Sequence, residues 1–84
     1  MIHATEGALD RLEPLLQKIR HFDSLQEKSR GVFYKKSRAF LHFHEDPSGL
    51  FADIRVADDW ERLPVSDKTQ QSQLLKCLEK ALEA

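Results

Sequence analysis

The chain predicts an α+β fold: a two-layer sandwich in the order α-β-β-β-(β)-α, with an antiparallel meander carrying its N- and C-terminal helices on one face. Three observations lead there. Apolar residues recur at steps of three and four near both ends, the middle alternates apolar with polar residues between turn signals, and 84 residues leave room for one small domain, residues 1–84. A core of that size hides only about 60% of the unfolded chain's surface.

The first helix is read over Thr5 to Phe22, where Leu9, Leu12, Leu16 and Ile19 keep helical spacing. Thr5 suits the N-cap, and Glu6 faces the positive helix end. Pro14 removes a backbone donor, so the helix either kinks there or starts there. The unbroken phase of the apolar stripe favours the kink. Residues 23–30 are polar and aperiodic and are expected to connect. Strands follow at Gly31–Tyr34, Ala39–His44 and Leu50–Val56, with turns at Lys35-Lys36-Ser37, Asp46-Pro47-Ser48-Gly49 and Ala57-Asp58-Asp59. Trp60–Val65 reads as a short edge strand ending at Pro64. The last helix begins at Ser66 as N-cap and packs Leu74, Leu75, Leu78, Ala81 and Leu82.

Alternation gives the central hairpin its chemistry. In one strand Ala39, Leu41 and Phe43 oppose Phe40, His42 and His44. In the next, Leu50, Ala52, Ile54 and Val56 oppose Phe51, Asp53 and Arg55. Joining the two aliphatic sets under the helices pairs His42 with Asp53. It leaves Phe40, His42, His44, Phe51, Asp53 and Arg55 on an outer face. A three-residue Pro47-Ser48-Gly49 turn would instead slip the register by one and exchange the faces. In the preferred register the face offers a contact surface for a protein partner or a small anionic ligand, with Arg55 supplying a fork of donors. His42, His44 and Asp53 also make a donor set suited to zinc. No other cofactor is indicated.

Lys28, Arg30, Lys35, Lys36 and Arg38 fall within eleven residues that contain no acid, interleaved with Phe33 and Tyr34. This is the segment that would grip phosphates and stack bases. The whole-chain charge of −1 argues against a dedicated nucleic-acid binder, even though residues 1–38 carry eight cations against five acids. Trp60, between acids, reads as a lid over a small core. Cys77 on the last helix reads as a half-buried thiol rather than a nucleophile. No glycine-rich phosphate loop or paired-cysteine motif occurs.

One cysteine allows no internal disulfide, and no signal pattern or membrane-length apolar run is present. The expected setting is therefore the cytoplasm, away from membranes. A homodimer that covers the Phe40 and Phe51 face is the expected alternative to a heterologous partner. The run KSRAFLHFHEDPSGLFADIRV, continuing through DWERLPV, resembles a group of small uncharacterised bacterial proteins over about residues 31–75. That resemblance implies a bacterial cytosolic source and carries no activity or site residues with it. A non-enzymatic binding module is the leading expectation.

Overall fold

Thr5 opens the first helix as its sequence position suggests. Its Oγ1 accepts a hydrogen bond from the Ala8 N–H at 3.4 Å, and its own N–H donates to Glu45 Oε1 at 2.6 Å. The computed structural model describes residues 2–83, and in it this helix (α1, Glu6–Ile19) follows a two-residue strand (β1, Ile2–His3). Pro14 lies inside α1, which continues through it as one element. The proline faces solvent, so water can satisfy the Asp10 carbonyl that loses its helical donor. Leu9, Leu12, Leu15, Leu16 and Ile19 are the buried stripe.

The C-terminal helix (α2, Lys68–Glu83) is capped one residue later than its sequence suggests. Asp67, not Ser66, accepts the Gln70 N–H at 2.8 Å, and Gln70 Oε1 accepts the Asp67 N–H at 3.3 Å in return, as well as the Ser66 N–H at 2.8 Å. That reciprocal pair is a capping box. Ser66 is otherwise engaged: its Oγ accepts the Leu50 N–H at 2.9 Å and so ties the helix entry to the sheet.

Between the helices run β2 (Gln26–Ser29), β3 (Val32–Lys35), β4 (Arg38–Asp46), β5 (Gly49–Val56) and β6 (Asp59–Pro64), an antiparallel meander in that spatial order. The two-residue turns Arg30-Gly31, Lys36-Ser37, Pro47-Ser48 and Ala57-Asp58 join them. Two strands exceed the sequence expectation. β2 lies in the supposed connector, where polar QEKS forms an edge strand held by backbone pairing to β3. β1 pairs with His44 and Glu45 of β4, a stretch that β3, which reaches only His42, leaves uncovered.

The register follows the aliphatic pattern. His42 lies opposite Asp53, Glu45 opposite Leu50 and Asp46 opposite Gly49. The loop is two residues, so the three-residue alternative does not form. Asp46 Oδ2 accepts from the Ser48 N–H and from its hydroxyl, stabilising the turn as an Asx arrangement.

In β4 one residue departs from strict alternation. Phe33 faces Leu41 but the next residue, Tyr34, faces Ala39, so β4 carries one extra residue, Phe40. This β-bulge turns Phe40 inward, and Phe40 and Leu41 are buried in succession. Phe40 therefore belongs to the core and not to the outer face on which alternation places it.

Both helices cover the same face. Leu9, Leu12, Leu16 and Ile19 of α1 and Leu74 and Leu78 of α2 form one cluster with Phe33, Leu41, Phe43, Ala52 and Ile54 of the sheet. Each of these leucine, isoleucine and phenylalanine side chains contributes about 1.5–3 kcal/mol on burial. Leu75, Ala81, Leu82 and Cys77 pack half-buried at the margin. Two turns carry an uncommon backbone. Lys36 and Ser37 have φ of 51° and 69°, and Ala57 and Asp58 have 51° and 71°. The left-handed conformation matches the twist of a hairpin but costs a residue with a Cβ about 1–2 kcal/mol. No helix among the described residues is long and apolar enough to cross a membrane.

Candidate functional site

The outer face is ordered by the register. One row across the sheet reads Val32, His42, Asp53, Arg62; the next reads His3, His44, Phe51, Pro64. Arg55 pairs with Trp60 beside the first row. Among the described residues no helix covers this face, yet its central side chains are well shielded: the His44 side chain is 14% exposed and that of Asp53 13%. The shielding comes from long neighbours on β6 and from β1.

Asp53 is the electrostatic centre. Arg62 grips it in a fork, Nε to Oδ1 at 2.8 Å and Nη2 to Oδ2 at 2.9 Å. These bonds hold its carboxyl below the usual carboxylate range, outweighing burial, so it is ionised at neutral pH. His44 Nε2 stands 3.0 Å from Asp53 Oδ2, but it is not aligned for a hydrogen bond. Burial pushes the His42 imidazole below the ordinary histidine value, and the neighbouring His44 acts in the same direction. A neutral imidazole presents a lone pair.

Two ring nitrogens, His42 Nδ1 and His44 Nε2, are buried without a hydrogen-bond partner in the protein. Such orphans are uncommon and call for an explanation. One ring nitrogen from each of His42 and His44 and a carboxylate oxygen of Asp53 lie within 4.8 Å of one another. Tetrahedral zinc with bonds of about 2.0–2.1 Å spaces its ligands about 3.3 Å apart, so a modest inward rotation of the side chains would close the set. Asp53 has lone pairs to spare for an ion while Arg62 keeps its fork, which would fix the ligand carboxylate in place.

The sheet also gathers residues that the sequence did not assign to this face. His3 lies across from His44, its ring centroid 4.9 Å from that of His44 and 5.9 Å from that of His42. Trp60 packs at 4.6 Å from the His42 ring and carries the Arg55 guanidinium 4.5 Å above its own ring. It is 41% exposed and walls the site rather than closing the core. Trp60 and Arg62 were within reach of the alternation in β6. His3 was not, because nothing in two residues announces a strand.

The other sequence candidates disperse. Phe51 is half-buried beside His44. Arg55 spends its Nε on the Ala39 carbonyl at 2.8 Å. Phe40 is inside, so the pair of phenylalanines that motivated a partner-binding face is not assembled there. In the basic segment, Arg30 is tied to Glu6, Asp10 and Glu13 of α1 at 2.8–2.9 Å, and Arg38 meets Asp58 at 3.1 Å. Lys28 lies over Tyr34 at 5.8 Å and Lys35 over Phe40 at 5.7 Å, while Lys36 is exposed in its turn. These five cations do not form one phosphate-facing strip. Compared with known families, curated proteins and solved structures, the chain matches no family model, no curated protein and no solved structure.

Proposed function

We propose that this chain is a small metal-binding module whose outer sheet face takes one zinc ion through His42 Nδ1, His44 Nε2 and Asp53. The observation that supports this most directly is the pair of buried imidazole nitrogens that make no hydrogen bond although they stand beside an ionised carboxylate. A nitrogen-nitrogen-oxygen donor set is one that zinc takes, and it leaves a fourth position for water or a further imidazole. A reducing cytoplasm is the natural setting for a chain with one unpaired thiol, and a small anion completing the coordination shell is the partner chemistry the site favours.

Zinc titration by calorimetry, with the histidine ring resonances followed by NMR, tests the reading. One equivalent should bind and shift the His42 and His44 rings. The paired substitution His42→Ala and His44→Ala should abolish binding while leaving the far-UV spectrum intact. Absence of ring shifts at stoichiometric zinc, or undiminished binding by the paired variant, would overturn it.

A further inference from the structure

At the opposite end of the sheet from the Pro47-Ser48 turn, a groove of about 660 Å³ lies between α2 and the two left-handed turns. Its floor is apolar, made by Phe40, Val56 and Ala81, with the Cys77 side chain in the wall. Its volume falls in the range of small-molecule sites, about 300–1,000 Å³. The rim has a pronounced sign. Lys35, Lys36, Arg38, Arg55 and Lys80 border it against a single acid, Asp58, on a chain whose net charge is −1.

We infer that this groove binds an amphipathic anion: an apolar chain seated on Phe40 and Ala81, with one anionic head among the rim cations. The bulge at Phe40 is what creates the floor, because strict alternation would turn that ring to the other face of the sheet. Three of the cations are already engaged: Arg38 with the rim's own Asp58, Arg55 over Trp60, and Lys35 above the Phe40 ring. Lys36 and Lys80, both exposed, remain at the mouth to meet the head group. An uncharged apolar ligand would leave that excess of positive charge unanswered, and a cationic amphiphile would be repelled by it. The site is separate from the histidine cluster and does not depend on zinc.

Calorimetry with octanoate, decanoate and dodecanoate below their micellar concentrations tests this, with decanol, decyl phosphate and decyltrimethylammonium as head-group controls. Decanoate should bind at one equivalent, each added methylene should tighten binding about fourfold, and decanol should bind more weakly. Tighter binding of decyl phosphate than of decanoate would support the site and identify its natural head as a phosphate monoester. Bound decanoate should also slow reaction of Cys77 with a thiol reagent. Lys80→Glu should weaken decanoate several-fold and leave decanol unchanged, and Ala81→Trp should fill the groove and remove both. Lys80→Glu, on the exposed face of α2, keeps the test decisive if the tryptophan variant fails to fold. Equal binding of the cationic amphiphile, unaltered decanoate affinity in Lys80→Glu, or Cys77 reactivity indifferent to decanoate would overturn the inference.

Discussion

Glu13 shows how much one side chain can hold together on this surface. Its carboxylate bonds Arg20 at 2.6 Å and Arg30 at 2.9 Å, linking α1 to the chain just before β3. Those hydrogen bonds, Arg20's first, lower its carboxyl to about 2. Because the folded value lies below the unfolded one, the stabilisation is fully present above the ordinary carboxylate range and is lost as pH falls toward about 2. Acid unfolding of Glu13→Gln should therefore show a shallower loss of stability across that window than the parent, measured by denaturant midpoints at successive pH values. Asp53 gives a second test at this scale. Asp53→Asn keeps the shape but removes the charge that Arg62 grips, and it should cost about 1 kcal/mol of stability and at least tenfold in zinc affinity. A variant that binds zinc as tightly as the parent would remove Asp53 from the ligand set.

At the level of elements, the strands and their register were legible because aliphatic residues alternate cleanly from Leu50 to Val56 and fix one face. Phe40 was misplaced because a bulge inserts one residue without any compositional mark: Ala39, Phe40 and Leu41 read equally well in either phase. β2 escaped because its pairing is made by backbone and its side chains are polar, and β1 because two residues carry no period. The histidine–aspartate pairing was thus readable from the sequence, whereas the third histidine and the groove were products of tertiary structure. The turns supply further predictions. Ser37→Gly should stabilise the protein by about 1 kcal/mol, with an unchanged denaturant slope, since glycine adopts that backbone without penalty. Gly49 is the reverse case. At φ 143°, a Cβ there would sit 2.5 Å from Ser66 Oγ, the atom that accepts the Leu50 N–H. Gly49→Ala should lower stability by about 1–3 kcal/mol in the same assay.

The whole molecule is one-sided. Its apolar core lies between the sheet and the two helices, while the other sheet face is held by rings, ion pairs and an aspartate. No disulfide supports so small a core, so truncations within it should be felt in full. Leu16→Ala, at a site with no exposed surface, should cost about 2–5 kcal/mol, a large part of the stability expected for a domain of this size, read as a drop in melting temperature. The separation of layers predicts that polar substitutions on the outer face leave the fold intact.

Arg55 belongs to both halves of this arrangement. It borders the groove, and its guanidinium rests on Trp60, whose ring touches His42. Trp60 is the chain's sole tryptophan, so its fluorescence is an optical gauge placed between the two sites. Copper(II) at His42 should quench it, and a tail in the groove should change it through Arg55. If occupying one site alters affinity at the other, the reciprocal change must be of equal factor, and a single emission trace would record both sides of that linkage.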